Sequence, residues 1–382
     1  MKGKPEGSAR REAAKLFLCG DVMTGRGIDQ ILPHPSDPLI YEPYARSAGA
    51  YVVLAEAAHG PLPRGADFTY IWGDVLEELQ IMAPDMNIIN LETSVTKSDD
   101  FWKGKGINYR MHPDNIPCLT VAGIDCCALA NNHVLDWGYA GLVETMTTLE
   151  QVGIGYAGAG RNRAAAEAPA ILRLNDDGRV LVFGFGTETC GIPVRWAAST
   201  QEPGINLIRD YSDTTVRSIA EWVRKYKESG DIAIASIHWG ENWGYDVSME
   251  ERIFAHNLID RADIDLIHGH SSHHVKGIEV YRDKLILYGC GDFLNDYEGI
   301  SGYEEFRADL GLMYFALIDR LSGCLLELTM TPTQIKHFKV NRAAKSDAQW
   351  LQDLLNREGK AFDTATAMYD EERLLLRVNA RT

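Results

Sequence analysis

The feature that most constrains this fold is an apolar, strand-like run at 125–130 that stops abruptly in Asn131, Asn132 and His133. Side chains of these types compete with the backbone for hydrogen bonds, so they suit neither a strand nor a helix interior. The pattern therefore predicts a loop at the carboxyl end of a strand, which is where open α/β sheets place their chemistry. Asn132 offers a neutral oxygen ligand, and His133 offers an imidazole that binds metal or carries a proton.

The same pattern, an apolar run that ends in a polar side chain, occurs four more times. The residues that follow these runs are Asp21, Glu92, His238 and the group His268, His270, His273 and His274. One such residue is usually a cap or a turn residue, but the repetition indicates a shared site. Mixed carboxylate, amide and imidazole ligands without cysteine predict one or two divalent ions, with Mn, Fe or Zn as the candidates. Glu92 is the natural bridging carboxylate between two ions about 3.5–4 Å apart.

Helical patterns alternate with these strands, which indicates an α/β protein. Apolar residues recur at helical spacing over 74–82, 139–152, 213–229 and 248–263, and hairpins are expected over 169–185, 278–288 and 312–330. One domain over 16–340 is the simplest organisation, with a disordered lead-in at 1–15 and a helical tail at 341–382. The Pro- and Gly-rich segment 32–70 is interpreted as a loop or helical lid over the site.

Composition excludes several classes of function. The 382 residues have a formal net charge of −16 and no long basic run, which argues against nucleic-acid and anionic-membrane partners. No stretch approaches the ~20 apolar residues of a membrane span. The seven cysteines lie mostly in apolar runs and are expected to be reduced thiols of a cytoplasmic protein. The Gly-rich turns at 20–27 and 154–160 lack the spacing of a P-loop or a dinucleotide-binding loop.

Together the motifs resemble a known family. The motifs are Gly20-Asp21-Val22-Met23, Asn90-Leu91-Glu92, Asn131-Asn132-His133-x-x-Asp136, Tyr156-x-Gly158-Ala159-Gly160, His238-Trp239-Gly240 and Gly269-His270-x-x-His273. In this order over about 16–335 they are similar to the CapA family, which is associated with poly-γ-glutamate capsule synthesis. CapA proteins belong to the calcineurin-like metallophosphoesterase superfamily, so the resemblance implies a four-layer α/β/β/α sandwich of the metallo-dependent phosphatase type.

The resemblance also implies residue roles. Asp21, Glu92 and His273 would hold one metal ion, and Glu92, Asn132, His238 and His270 would hold the second. His133 would donate or accept a proton while Asp136 orients it. Beside these implied roles, Trp239 and Asp292 are predicted to contact the substrate.

Four residues depart from the family pattern. Met23 replaces a metal-binding His, His268 and His274 replace apolar residues, and Asp292 replaces Asn. His268 and His274 are either acid/base groups that face the substrate or strand-end groups without a role in the reaction.

Three functions are compatible with this site. The leading hypothesis is metal-assisted hydrolysis or transfer at a γ-glutamyl or peptide amide, or at a phosphoester, with His133 as the acid/base. The second is a peptide epimerase of a natural-product pathway, in which His133 and His268 remove and return an α-proton. The third, a binding protein with a degenerate site, is suggested by Met23. The absence of a membrane anchor favours a soluble biosynthetic role, with a peptide or a glutamyl polymer as the substrate.

Overall fold

The computed structural model describes residues 12–175, 178–370 and 372–378. Its helices over these ranges are α1 (Gly49–His59), α2 (Val75–Met82), α3 (Pro117–Thr120), α4 (Gly138–Gln151), α5 (Arg163–Glu167), α6 (Asp213–Tyr226), α7 (Met249–Ala262) and α8 (Lys345–Glu358). The first strands are β1 (Ala13–Val22), β2 (Met86–Leu91), β3 (Ser94–Val95), β4 (Arg110–Met111), β5 (Cys126–Ala128), β6 (Gly155–Ala157), β7 (Ala159–Gly160), β8 (Ala170–Arg173), β9 (Arg179–Thr187), β10 (Gly204–Ile205) and β11 (Leu207–Ile208). The remaining strands are β12 (Ile232–His238), β13 (Leu266–His270), β14 (Ile278–Tyr281), β15 (Lys284–Leu287), β16 (Asp292–Leu294), β17 (Leu310–Asp319), β18 (Leu325–Ile335), β19 (Val340–Arg342), β20 (Thr364–Met368) and β21 (Leu374–Val378).

Most strands belong to two mixed sheets. The larger sheet has the order β20-β21-β18-β17-β1-β2-β5-β6, with β16 beside β1 and β19 beside β18. The smaller has the order β11-β9-β12-β13-β15-β14, with β8 beside β9. The strands β1, β2, β5 and β6 run parallel, as do β9, β12 and β13. Parallel strands end at the same edge of a sheet, so each sheet gathers several carboxyl ends at one edge.

The two sheets pack face to face, and alternation along each strand builds the layers. In β1, Leu16 and Leu18 belong to the core between the sheets, where they join Val182 and Ile234 of the smaller sheet. Successive side chains of a strand point to opposite faces. Phe17 and Cys19, which lie between and after these leucines, accordingly point to the outer face and pack in a second core shared with α2 and α4.

Helices α6 and α7 cover the outer face of the smaller sheet. Phe183 and Ala235 of this sheet pack in one cluster with Val216 of α6 and Leu258 of α7. Helix α7 begins with a capping box in which Ser248 and Glu251 satisfy each other's backbone amides. The order of layers is therefore helices, large sheet, small sheet, helices, which confirms the predicted α/β/β/α sandwich.

The predicted helices at 74–82, 139–152, 213–229 and 248–263 and the three hairpins are confirmed. Part of the tip of the first hairpin, at 176–177, lies outside the described residues. The lead-in prediction was wrong at its end, because Ala13 to Lys15 already pair with β17; residues 1–11 lie outside the described part.

The tail is not simply helical. After α8, the strands β20 and β21 extend the large sheet beside β18. Arg373 and Arg342 pair with buried Glu78 of α2, and this ion pairing attaches the tail to the body of the protein.

The segment 32–70 contains α1 and is joined to the rest of the fold by buried polar contacts. Glu42 pairs with Arg26, whose guanidinium lies over the ring of Tyr51 at 3.6 Å. His59, at the end of α1, contacts Glu298. The segment is thus packed against the body of the protein, and its closure over a substrate stays a prediction.

Within 12–175, 178–370 and 372–378, no helix combines the length and the apolar character that a membrane span requires. The seven cysteines are free thiols, and all but Cys324 are buried.

Candidate metal centre

Strand register brings together polar residues that are far apart in sequence. Asp21 at the end of β1 lies opposite Asn90 of β2 on one side and Asp292 of β16 on the other. In the smaller sheet, His238 of β12 lies opposite His270 of β13. The carboxyl ends of these strands, from both sheets, therefore meet at one buried point.

Two groups of potential ligands share Asp21. The first consists of Asp21, His238 and His270, and the second of Asp21, His273 and Asp292. In each group the ligand atoms lie within 4.8 Å of one another, and every member is buried. The arrangement has the form of two adjacent metal sites joined by one carboxylate.

Glu92 and Asn132 lie beside the first group. The Asn90 amide donates to Asp21 Oδ1 at 2.7 Å and to Glu92 Oε2 at 3.3 Å, so it holds the two carboxylates near each other. Glu92 Oε1 is 4.0 Å from His238 Nε2, which lies 3.0 Å from Asn132 Oδ1. All six residues predicted as metal ligands are thus in one place. The residue common to both groups is Asp21, whereas bridging by Glu92 stays a prediction.

The electrostatics of the site favour a bound cation. Burial and the neighbouring Asp292 raise the pKa of Asp21 to about 7. Burial and the charge of Asp21 likewise raise the pKa of Glu92 well above its ordinary value. Burial opposes protonation of His273, but Asp292 outweighs it and raises the pKa of this imidazole. Carboxylates crowded in this way are stabilised in their charged form by a divalent ion.

The imidazoles of His238 and His270 are also suited to bind a divalent cation. Burial lowers the pKa of both His238 and His270 well below the ordinary value, so both rings are neutral near pH 7. Their Nδ1 atoms are 2.8 Å apart. The other ring nitrogen of His238, Nε2, lies 3.0 Å from Asn132 Oδ1, so this ring contacts two other potential ligands. Nitrogen and oxygen donors without cysteine suit Mn, Fe or Zn.

His133 and Asp136 form a buried pair next to these groups. His133 Nδ1 lies 2.7 Å from Asp136 Oδ2, which also accepts the backbone N–H of Tyr109 at 2.7 Å. His133 Nε2 lies 3.7 Å from Glu92 Oε1, so this edge of the ring faces the metal ligands. Burial, reinforced by the charge of Lys105, lowers the pKa of His133 to about 4. The neutral ring therefore donates Nδ1–H to Asp136 and keeps a lone pair on Nε2.

Sequence reasoning missed Lys105. Its ammonium contacts Asp136 Oδ1 and lies 2.9 Å from His133 Nδ1, and the side chain is only 14% exposed. It comes from a loop of Lys and Gly residues without any motif, so the sequence contains no signal that points to it. Its charge compensates that of Asp136 and keeps His133 neutral.

Two predicted roles do not match the structure. His268 is fully buried, with Nε2 on the backbone carbonyl of Cys19 and Nδ1 on Ser236, so it does not face a substrate. Trp239 is also buried; its indole N–H donates to the Tyr288 carbonyl, and its ring packs in the core beneath α6 and α7. The apolar face of the strand, and not the site, receives this side chain.

The structure also shows what the other residues that depart from the family pattern contact. Asp292 was predicted to contact the substrate, but it accepts from His273 Nδ1 at 2.9 Å and belongs to the second ligand group. Met23 is buried, and its backbone N–H donates to Leu294. His274 accepts a backbone N–H from Gly244 and stacks on Phe306, which is a packing role.

Ser271, between two of the ligand histidines, has an unusual backbone. Its φ is 98°, a region that residues with a side chain rarely adopt, and its backbone N–H donates to Asp21 Oδ2 at 3.2 Å. Strained conformations of this kind persist where the surrounding structure requires them, and they concentrate at functional sites. Here the strained turn aims an amide at the shared carboxylate.

A cleft of about 650 Å³ opens beside the second ligand group. Its lining includes His273, the aromatic residues Trp243 and Tyr297, and Tyr51 of the 32–70 segment. The volume lies in the range typical of small-molecule sites. A substrate in this cleft would therefore lie next to Asp21 and its neighbours.

Known proteins resemble this chain over the same region. The family model described as "Bacterial capsule synthesis protein PGA_cap" matches residues 15–297. A Mycobacterium tuberculosis (strain H37Rv) protein named probable polyglutamine synthesis accessory protein is 45% identical over 363 residues, 95% of this chain and 94% of the relative. The capsule biosynthesis protein CapA of Bacillus anthracis is 28% identical over 286 residues, 75% of this chain and 60% of its own length. The matched region of the family model includes every potential ligand from Asp21 to Asp292.

Proposed function

This chain belongs to the bacterial capsule synthesis protein (PGA_cap) family, as the CapA motifs predicted, and we propose that it is a metal-dependent enzyme acting at an amide or a phosphoester. The observation that carries the proposal is the pair of ligand groups sharing Asp21, next to a neutral His133 held by Asp136. A γ-glutamyl or peptide amide is the first substrate to test, because relatives are named for capsule or polyglutamine synthesis.

The potential ligands would divide between two ions. His238, His270 and Asn132 would complete one site around Asp21, and His273 and Asp292 would complete the other. Met23 provides no nitrogen, and Asp292 would supply a third ligand to the site that this substitution would otherwise weaken. When bound, divalent ions supply Lewis acidity toward a substrate oxygen and lower the pKa of water.

His133 is suited to carry the proton. With Nδ1–H donated to Asp136, the Nε2 lone pair accepts a proton from the attacking water on the Glu92 side of the ring. The charged ring then delivers this proton to the leaving nitrogen or oxygen, as general acid/base catalysis requires. The Asp136 carboxylate stabilises the imidazolium during that interval, and Lys105 holds Asp136 in place.

The structure favours hydrolysis or transfer over epimerisation. An epimerase that works by removal and return of an α-proton on opposite faces needs two acid/base groups, and the predicted pair was His133 with His268. Both nitrogens of His268 are engaged by Cys19 and Ser236 away from the cleft, so only His133 of this pair is available.

Turnover by metal-loaded protein tests the proposal. We would load the protein with Mn, Fe or Zn and offer γ-glutamyl peptides, poly-γ-glutamate and phosphoesters, and detect released amine or phosphate. His133→Ala is expected to reduce kcat by about 10²–10⁴-fold at unchanged metal content. His256→Ala is the matched control, because this His lies on α7 and binds Glu279 away from the site.

Two outcomes would contradict the proposal. One is a His133→Ala protein that turns over as fast as the wild type. The other is a metal-loaded wild type that releases neither amine nor phosphate from any of these substrates. Incorporation of solvent deuterium into an uncleaved peptide would then identify an epimerase. Binding of a substrate without any reaction would identify a binding protein.

A further inference from the structure

A buried chain of hydrogen bonds leads from the backbone of β1 to the metal centre. Nε2 of His268 lies 2.7 Å from the carbonyl oxygen of Cys19, and its Nδ1 lies 3.1 Å from the hydroxyl of Ser236. The same hydroxyl is 2.9 Å from Nε2 of His270. These three side chains, His268, Ser236 and His270, are fully buried, so water does not compete for the bonds.

The chain has only one direction when both rings are neutral. A carbonyl oxygen only accepts, so Nε2 of His268 carries the proton and its Nδ1 carries a lone pair. Ser236 has a single hydroxyl proton and must donate it to that lone pair. Its oxygen then accepts Nε2–H from His270, which leaves the lone pair of His270 on Nδ1.

This lone pair points at the metal centre. Nδ1 of His270 is 2.8 Å from Nδ1 of His238, and both residues belong to the ligand group of Asp21. A His270 ring with the proton on Nδ1 would present an N–H to the ion and could not bind it. The position of one proton on this ring therefore decides whether the first site has its full set of donors.

The chain of hydrogen bonds begins at an irregularity of β1. The register of β1 with β2 shifts between Leu18 and Asp21, and Cys19 lies inside this interval. Its carbonyl accepts from His268 across the space between the sheets. The bulge that delivers Asp21 to the site thus also provides the acceptor that orients His268.

We propose that His268 and Ser236 are positioning residues that fix the tautomer of His270, with the proton on Nε2 and the lone pair on Nδ1 for the metal. The inference rests on the metal centre of the proposed function but does not depend on which reaction follows. An apolar residue at position 268 would leave Ser236 without its acceptor and free to rotate, so either tautomer of His270 could then be satisfied.

The tautomer can be read directly in metal-free protein. The ¹⁵N shifts of histidine-labelled protein distinguish a ring with Nδ1–H from one with Nε2–H, and loss of a signal in His270→Gln assigns the resonance. The wild type is expected to show His270 protonated on Nε2 alone. A wild-type His270 protonated on Nδ1 would overturn the proposal whether or not the protein binds metal or turns over a substrate.

Metal affinity provides the second readout. Titration with Zn²⁺ or Mn²⁺ is expected to give a Kd about 10–100-fold higher for Ser236→Ala than for the wild type, the range found when partners of ligand histidines are removed. Ser236→Thr keeps the hydroxyl and should restore most of the affinity. Thr331→Val is the matched control, because it removes a buried hydroxyl that bonds Glu78 far from the site.

The outcomes separate this inference from the proposed function. Ser236→Ala with an unchanged Kd and an unchanged His270 tautomer would refute the positioning role. A wild type that binds metal, shows the expected tautomer and loses affinity in Ser236→Ala but has no turnover would keep the inference and refute the enzyme. If Ser236→Ala does not fold, His268→Gln is measured in its place, and the wild-type tautomer still decides.

Discussion

Gly20, immediately before the shared ligand Asp21, has no room for a side chain. A Cβ built there would lie 1.7 Å from the carbonyl oxygen of Gly291 and 2.7 Å from its carbonyl carbon. Both neighbours are backbone atoms of the segment that leads into β16, so no side chain can rotate away. In Gly20→Ala, β1 and this segment would have to separate by more than about 1 Å to reach an ordinary contact distance.

The cost of this separation follows from the contacts it breaks. Overpacking of a tight site costs about 1–3 kcal/mol. The hydrogen bond from the Asp21 N–H to the Gly291 carbonyl, 3.0 Å long, would be lost as well, at about 1 kcal/mol. We expect a destabilisation of about 2–4 kcal/mol, which for a chain of 382 residues corresponds to a fall in Tm of roughly 2–5 °C. Because metal ligands must keep their distances to within about 0.2 Å, metal affinity should fall by more than about tenfold.

Gly106→Ala is the matched control for this substitution. No atom lies within 4 Å of a Cβ built at Gly106, and the residue lies on an exposed loop. Its unfolding free energy should stay within about 0.5 kcal/mol of the wild type. Thermal unfolding and metal titration of the three proteins make the test. A Gly20→Ala protein with the Tm and the metal affinity of Gly106→Ala would refute the close approach of β1 and β16 as the device that positions Asp21.

Three further predictions concern stability. Ser271→Gly should raise the unfolding free energy by about 1 kcal/mol, because Gly adopts a φ of 98° without strain; a lower midpoint in urea would contradict this. Burial alone would raise the pKa of Glu78, but its hydrogen bonds, that from Arg373 foremost, lower it. The stability that the Glu78 carboxylate contributes is present above the ordinary carboxylate pKa and is lost as the pH falls through the lowered pKa. Glu78→Gln should therefore be less stable than the wild type by about 1–3 kcal/mol at pH 7, and this difference should disappear toward pH 3 in urea titrations. A difference that does not depend on pH would contradict the ion pairing. Trp239→Phe should lose about 1–3 kcal/mol in thermal unfolding and keep its metal affinity, because the indole bonds the Tyr288 carbonyl inside the core; a large loss of affinity would restore Trp239 to the site.

The sequence predicts the strands and helices well because each depends on local pattern, whereas their four-layer arrangement was implied by the family resemblance. Alternating and continuous apolar runs identify the strands, and helical spacing with caps such as Ser248 identifies the helices. The polar residues at the strand ends show which ends carry the site. The two short strands of the tail were not predicted, because the helix pattern there is strong and β20 and β21 form only by pairing with the large sheet beside β18.

The rest of the site depends on tertiary contacts that no pattern records. Asp292 joins the second group of potential ligands because β16 pairs with β1 at Asp21, and this pairing brings together residues far apart in the chain. Lys105 reaches Asp136 from a loop without a motif. The contact of His268 depends on the bulge in β1, which leaves the Cys19 carbonyl available to it, whereas the sequence suggested only an acid/base group at this position.

The proposed enzyme depends on two metal sites that share Asp21. The most direct test is the metal content of purified, metal-saturated protein, for the wild type beside Asp292→Ala and Asp21→Ala, with folding checked by circular dichroism. We predict about two ions per chain in the wild type, about one in Asp292→Ala and none in Asp21→Ala, since the first variant removes a ligand of one group and the second a ligand of both. A wild type that takes up no metal, or an Asp21→Ala protein that retains two ions, would contradict the shared role of Asp21.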